Sequence, residues 1–371
     1  MRKGQVINGY TILQDFTTAG AGLSKWTFAE KGGQSYFLKE FLSPTYPTGD
    51  SPGSEEIKAA KLQASKAFET HAGAIMKALT GTALPGGNLV VATDFFRVGA
   101  KYYKVSARVE ASSLDSEEVS GLPPERRLLI LLTLAHSLRI MHSANIVHGD
   151  LKPENVLFKR TITGDYAAKL IDLDSSYFSG TPPPRQELVG DPVYYAPEVG
   201  RYVEGVEGAD PAILTTQADI FTLGLLYARY LTGRLPAFSQ SHYRYPYVAV
   251  GNGGRLTLQG GGLPPKLRQL LRLMLSADPG RRPDIHRVFQ RLKEPDILAP
   301  KALEVPATEN KAAAGKVTTE RQLQGTLAAE REPLTSGPLE AGDGPSDSRL
   351  VDTKTSPKLK GTLITRREEV S

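Results

Sequence analysis

The chain has no cysteine among its 371 residues and only one tryptophan. The lack of cysteine excludes disulfides and thiolate-ligated metals, and it fits a reducing compartment. Long apolar runs are also missing, since the longest, residues 128–141, contains His136 and Arg139 and is too short to cross a bilayer. The opening residues, MRKG, do not form an apolar signal segment. We therefore expect a cytoplasmic protein with no membrane partner.

Dense blocks of Lys and Arg with interleaved aromatic residues are absent from the sequence as well. The formal net charge of +5 arises from 45 basic and 40 acidic residues that are spread along the chain. This pattern is typical of an ordinary charged surface and gives no sign of a nucleic-acid-binding stretch. We expect no nucleic-acid partner.

The composition changes at Asp296, after which aromatic residues are absent and Ala, Gly, Pro, Thr and Ser are frequent. Such a segment cannot bury enough apolar surface to offset the conformational entropy of the chain. We predict that residues 296–371 form a disordered tail. Its hydroxyls could carry phosphate that a phosphothreonine-binding partner reads or a phosphatase removes, but we favour the interpretation as an ordinary solvated tail or linker.

Residues 148–157, HGDLKPENVL, place three polar groups close together on a tight loop between apolar segments. Asp150 supplies a carboxylate, Lys152 a cation and Asn155 an amide. Phosphoryl transfer needs this combination. A carboxylate must orient the attacking hydroxyl and take its proton, an amide oxygen must hold a metal, and a fixed cation must offset charge on the transferred group.

This stretch resembles the catalytic loop of the eukaryotic-like Ser/Thr protein kinases, H-R-D-L-K-P-E-N, with Gly149 where that family has arginine. The resemblance implies that Asp150 and Lys152 are catalytic and that Asn155 binds metal. It also implies ATP and Mg²⁺ as cofactors and protein hydroxyls as the acceptors of phosphate.

The fold implied by the resemblance is the α+β, bilobal protein-kinase fold. We expect a kinase domain over residues 8–295. Its small β-rich N-lobe, with one long helix, would occupy about residues 8–105, and its larger helical C-lobe about residues 110–295. ATP would bind between the two lobes.

Glycines upstream of this loop indicate the phosphate-covering turn of the nucleotide site. Gly20 and Gly22 lie between two β-like runs, and Lys39 ends the second run. Glycines let a hairpin backbone approach a triphosphate closely. The resemblance implies that the glycines cover the phosphates of ATP and that Lys39 contacts its α- and β-phosphates. Lys25 stands where the family has a third glycine.

The acidic partner of Lys39 is expected on the next helix, because residues 55–79 have helical apolar spacing and no proline. We assign this role to Glu69, the central acid of the segment. Counting back from the end of the helix as in the family points instead to His71 or Ala72.

Two further segments complete the nucleotide site implied by the resemblance. The chain after a predicted strand ending at Ala107 resembles the kinase hinge, where the main chain of Ala107 and Val109 would bind adenine. A later strand ends in the triplet DLD at residues 172–174, where the family has D-F-G. Asp172 would bind the magnesium that bridges the phosphates. Asp174 replaces the glycine of that motif.

Three later motifs resemble structural elements of the same family. Glu198 lies in an A-P-E triplet, and Arg282 in the segment DPGRRP would pair with it. Asp219 lies at the start of an apolar helix, where it would accept hydrogen bonds from the main chain of the catalytic loop.

Two other functions are weighed against a protein kinase. The antibiotic and choline phosphotransferases also carry H-G-D, but they lack the A-P-E triplet and the lysine two places after the aspartate. A catalytically weak pseudokinase scaffold is favoured by Lys25, Gly149 and Asp174, and opposed by the intact set of five polar site residues. We predict a Ser/Thr protein kinase that also phosphorylates itself, and we leave its oligomeric state open.

Gly149 also carries a prediction about regulation. The arginine that it replaces binds phosphate on the activation segment in family members that have it. We therefore expect activity that does not depend on phosphorylation of that segment.

Overall fold

The computed structural model describes residues 2–19, 24–49, 51–82, 87–259 and 262–299. Gly20 and Gly22, the predicted phosphate-covering glycines, lie outside these residues, as does the predicted tail from residue 300 onward.

The N-terminal part is an antiparallel sheet. Over the described residues its strands are β1 (Val6–Ile7), β2 (Tyr10–Ile12), β3 (Ser24–Lys31), β4 (Gln34–Phe41), β5 (Ala92–Val98) and β6 (Lys101–Ala107). They lie in the order β1-β2-β3-β4-β6-β5. Burial alternates over residues 38–40 of β4 and 103–105 of β6, because successive side chains of a strand point to opposite faces. Leu38, Tyr103 and Val105 are fully buried in the core of this lobe.

One long helix, α1 (Glu55–Leu79), connects β4 to β5. Phe68 packs edge-on against Phe95 and Tyr102 of the sheet, with ring centroids 5.6 and 5.2 Å apart. At the other end of the helix, Ile75 is buried in the larger core of the second lobe. These two contacts fix the rotation of α1 about its axis.

The C-terminal part is mainly helical. Its helices are α2 (Ser116–Gly121), α3 (Pro124–Ser143), α4 (Pro197–Val203), α5 (Gln217–Thr232), α6 (Pro246–Gly251), α7 (Pro265–Met274) and α8 (Ile285–Leu292). Nearly every residue of α5 is buried, as expected for a helix that is apolar on all sides. α3 packs against α8 and contributes Leu131, Leu134 and Leu138 to the core. Ile297 is also buried, so packed chain continues slightly past residue 295.

Four short strands position the loops between the lobes. They are β7 (Ile146–Val147), β8 (Val156–Arg160), β9 (Tyr166–Leu170) and β10 (Tyr177–Phe178). β7 pairs with β10, and β8 pairs with β9, both antiparallel. The loop from β7 to β8 therefore lies beside the segment from β9 to β10.

The predicted fold class is confirmed. A small β-rich lobe with one long helix precedes a larger helical lobe. Among the described residues, no helix combines the length and the apolar character needed to cross a membrane.

Candidate active site

The loop between β7 and β8 brings three predicted residues together around one carboxylate. Lys152 Nζ donates to Oδ2 of Asp150 at 2.6 Å, and Asn155 Nδ2 donates to the same oxygen at 3.1 Å. The other oxygen, Oδ1, accepts from the backbone N–H of Asp191 at 3.3 Å. Asp150 is thus held in one orientation by groups from two different loops.

A second carboxylate, that of Asp219, fixes the shape of this loop through its backbone. Asp219, on the first turn of α5, accepts from the backbone N–H of His148 at 2.8 Å and of Gly149 at 3.3 Å. Its Oδ2 also lies 2.9 Å from Nε2 of His142. Asp219 is buried, so these hydrogen bonds are protected from water. The structure therefore brings Asp219 to the main chain of the catalytic loop.

The backbone at Gly149 explains why arginine is absent from this position. Gly149 has φ +81°, a conformation that residues with a Cβ rarely adopt. An added Cβ would also lie 2.5 Å from the carbonyl oxygen of Ser175. The chain from β9 to β10 therefore approaches the catalytic loop too closely for any side chain at residue 149.

Asp172 lies directly beside the catalytic loop. The backbone N–H of Ile171 donates to the carbonyl oxygen of Asn155 at 3.0 Å. Asp172 itself has φ +59°, an uncommon conformation for a residue other than glycine. Its two carboxylate oxygens lie 3.1 and 3.0 Å from Nζ of Lys39 on β4. The predicted lysine and the predicted metal ligand are thus in contact.

Asp174 and Lys104 join this pair, and neither was among the residues assigned to the site from the sequence. Oδ2 of Asp174 lies 2.6 Å from Nζ of Lys39, and Oδ1 forms an ion pair with Nζ of Lys104 on β6. We call Lys39, Lys104, Asp172 and Asp174 the charge quartet. The replacement of the D-F-G glycine by Asp174 was the one sequence signal that could have revealed it.

Burial and mutual attraction shift the pKa values within the charge quartet. Burial lowers the pKa of Lys39, but Asp174 and Asp172 together raise that pKa above its ordinary value. Burial and the neighbouring Asp174 raise the pKa of Asp172. Burial also acts to raise the pKa of Asp174, but Lys104 and Lys39 outweigh it and hold this pKa well below its usual range. Asp174 is therefore the firmly ionised partner of the two lysines.

The predicted pairing of Glu69 with Lys39 is wrong. Oε1 of Glu69 accepts a hydrogen bond from the hydroxyl of Tyr102 at 2.7 Å and lies 3.8 Å from Nε of Arg97. The packing of the adjacent Phe68 sets this orientation. His71, two residues further along α1, instead places Nε2 2.8 Å from the carbonyl oxygen of Ser176.

Asn155 and Asp172 are suited to hold magnesium. The amide nitrogen of Asn155 donates to the backbone oxygen of Asp150 at 2.7 Å, which directs the amide oxygen to the opposite side. Asp172 adds a carboxylate. Mg²⁺ commonly takes only one or two protein oxygens together with phosphate and water, so this donor set fits.

The remaining predicted residues occupy two regions. Ala107 ends β6, and Val109 follows in the connection between the sheet and the helical lobe. Glu198 on α4 and Arg282 form a buried bidentate ion pair, with N–O distances of 2.6 and 2.8 Å. Arg282 also donates to the carbonyl oxygen of Gln217 at 2.8 Å, so the pair joins α4 to the start of α5.

Comparison with known proteins gives matches over most of the folded region. The protein kinase domain family matches residues 57–292. The ovarian-specific serine/threonine-protein kinase Lok of Drosophila melanogaster is 31% identical over 186 residues, which are 49% of this chain and 36% of that protein. The serine/threonine-protein kinase pkn2 of Myxococcus xanthus is 33% identical over 153 residues, 38% of this chain and 17% of that protein.

A viral protein shows a similar degree of likeness. The putative serine/threonine-protein kinase R436 of Acanthamoeba polyphaga mimivirus is 28% identical over 166 residues, 44% of this chain and 54% of that protein. The matches thus span from about a sixth to about half of the length of these three relatives.

Proposed function

Because the chain belongs to the protein kinase domain family, we propose that it transfers the γ-phosphoryl group of ATP to serine and threonine hydroxyls of proteins, itself included. The observation that carries this proposal is the convergence of Asp150, Lys152 and Asn155 beside the Lys39–Asp172 pair. Phosphoryl transfer depends mainly on positioning and on electrostatic stabilisation, and these groups supply both.

Each residue has a distinct task in this reaction. Asp150 aligns the acceptor hydroxyl and takes its proton. Lys152, 2.6 Å from that carboxylate, offsets negative charge on the transferred group. Lys39 binds the α- and β-phosphates, and the main chain of Ala107 and Val109 binds adenine.

Magnesium would be held by Asn155 and Asp172, and when bound it would neutralise charge on the β- and γ-phosphates. Gly20 and Gly22 would cover the phosphates. The kinase domain would extend over residues 8–295 and act in the cytoplasm. Its partners would be protein substrates, together with a phosphatase or a phosphothreonine-binding protein that acts on its products.

The test is phosphate transfer by site variants of the full-length chain. We expect Asp150→Asn and Lys39→Met to lower incorporation of radiolabel from ATP into the chain and into a generic protein substrate roughly 100-fold or more, because each removes a group that acts on the reacting phosphates or hydroxyl. Labelling in the presence of Mg²⁺, with and without a chelator, is the measurement.

Asp165→Asn is the matched control. It removes a carboxylate whose ion pair with Arg126, at 3.1 Å, joins the turn between β8 and β9 to the start of α3 and contacts none of the site residues that the structure describes. Its labelling should equal that of the unchanged chain. Undiminished labelling in the Asp150 and Lys39 variants would contradict the proposal.

A pseudokinase scaffold is the alternative favoured by a specific observation, since Asp174 occupies a position that is glycine in the family. Thermal stabilisation by ATP and Mg²⁺ without any transfer of label would support that function. A small-molecule phosphotransferase is less favoured, because Glu198 and Arg282 belong to motifs that such enzymes lack.

A further inference from the structure

Two lysines stand directly opposite each other on neighbouring strands of the N-terminal sheet. Lys39 on β4 pairs in register with Lys104 on β6. Opposite residues of an antiparallel pair share one face of the sheet, and like charges at such positions are destabilising. The two side chains are only 14% and 18% exposed, so water screens their repulsion weakly. This arrangement requires an anion close to both ammonium groups.

Asp174 supplies that anion from the segment after β9. One carboxylate oxygen contacts Lys39 at 2.6 Å, and the other contacts Lys104. The side chain of Asp174 is itself 20% exposed. A single carboxylate thus holds both ammonium groups, and each lysine in turn restricts the carboxylate.

Helix α1 does not provide a carboxylate for Lys39 through Glu69, because Glu69 contacts Tyr102 and Arg97 instead. Asp172 contacts Lys39, but its proposed task is to bind magnesium. Asp174 is the carboxylate that can remain with Lys39 while Asp172 serves the metal.

We propose that Asp174 is the positioning residue for Lys39. It holds the ammonium group of Lys39 toward the nucleotide phosphates, and Lys104 fixes Asp174 from β6. This inference rests on the proposed function and deepens it, because the placement of Lys39 then depends on the segment after β9 and not on an acid of helix α1.

The test compares Asp174→Asn with Glu69→Gln in the full-length chain. We expect Asp174→Asn to weaken binding of a fluorescent ATP analogue and to raise the KM for ATP more than it lowers kcat, so that kcat/KM falls roughly 10- to 100-fold. Glu69→Gln also neutralises one acid, yet it should change kcat/KM by no more than about twofold. A purely structural role for Asp174 would lower the melting temperature without this selective effect on ATP.

Lys104→Met provides a second, independent measurement. Alone it should weaken ATP binding less than Asp174→Asn, because Asp174 still contacts Lys39. In the Asp174→Asn background it should cause no further loss, because Lys104 acts through Asp174 and its removal also relieves the repulsion on Lys39. If Asp174→Asn fails to fold, Asp174→Gly, which restores the residue typical of the family, takes its place.

The outcomes separate this inference from the proposed function. A chain that binds the ATP analogue but transfers no phosphate would end the proposed function, and the binding comparison would still decide the role of Asp174. Unchanged ATP affinity in Asp174→Asn and Asp174→Gly, or an equal loss in Glu69→Gln, would overturn the inference. A wild-type chain without affinity for ATP would overturn both.

Discussion

Gly149 shows how a single position is determined by contacts from another part of the chain. Its positive φ excludes most residues, and the carbonyl oxygen of Ser175 lies only 2.5 Å from where a Cβ would be. Ser175 in turn is the next residue in the chain after Asp174, a member of the charge quartet. The missing arginine is therefore a consequence of how closely the two loops approach each other.

We predict that Gly149→Ala lowers the free energy of unfolding by about 2–4 kcal/mol, the sum of a strained φ and a steric overlap. Phosphate transfer should fall as well, since the change displaces the loop that carries Asp150. Gly253→Ala is the matched control, because Gly253 has φ +77° with nothing within 4 Å of an added Cβ. It should cost only about 1–2 kcal/mol. Equal losses in urea unfolding would contradict the steric explanation.

Site residues that lie close together in sequence or within a recognisable motif could be predicted, whereas the carboxylate that contacts Lys39 from residue 174 and its second partner, Lys104, could not. Asp150, Lys152 and Asn155 share one short loop, so their spacing alone indicated a common task. Glu69 was misassigned because each residue turns a helix by about 100°, and only the packing of its neighbours reveals which face is directed to Lys39. Lys104 and Asp174 are 70 residues apart, and no local pattern connects them.

Among the larger elements, the pair Glu198–Arg282 joins α4 to the start of α5. Both side chains are almost completely buried, with 3% and 0% exposed. The attraction between them is strong in this environment, but so is the penalty for leaving either charge alone. The integrity of this junction therefore depends on both residues together.

We expect Glu198→Gln to lower the free energy of unfolding by about 3–5 kcal/mol, because Arg282 would remain buried without its counter-charge. Urea unfolding of the full-length chain is the measurement. Glu294→Gln removes a carboxylate from partly exposed ion pairs with Lys266, 3.4 Å away, and Arg291, 3.1 Å away, and should cost about 1 kcal/mol or less. Similar losses in the two variants would show that burial of the pair has little energetic importance.

Helix α1 could be predicted from its apolar spacing, and the class of the fold from the resemblance to the kinase family. The two-residue strands β7 and β10 could not, because so short a segment has no alternation to detect. Their pairing matters nonetheless, since it places the catalytic loop beside the segment that carries Asp172 and Asp174.

At the scale of the whole molecule, the segment between Asp174 and Gly190 is held by hydrogen bonds to other parts of the chain. β10 pairs with β7, and Oγ1 of Thr181 donates to the carbonyl oxygen of Phe178 at 2.9 Å. The hydroxyl of Tyr202 on α4 donates to the carbonyl oxygen of Pro183 at 3.1 Å. The segment is thus tied to β7 at one end and to α4 further along, with glycine and not arginine at residue 149.

We predict that phosphatase treatment leaves the specific activity unchanged, with removal of phosphate verified by mass spectrometry. Thr181→Ala should likewise retain activity, because it loses only one surface hydrogen bond within the segment. A collapse of activity after phosphatase treatment, recovered on rephosphorylation, would show instead that this segment depends on a phosphate for its order.

The bridge from Asp174 to the two lysines has a consequence for how this sequence can diverge. Losing the aspartate alone leaves two cations facing each other in a poorly hydrated place, and losing Lys104 alone removes a counter-charge from an enclosed anion. Either single loss therefore leaves a charge that is less well compensated than it is with both residues present. Sequences related to this chain by descent should therefore carry Asp at position 174 and Lys at position 104 together or lack both. The two positions should covary.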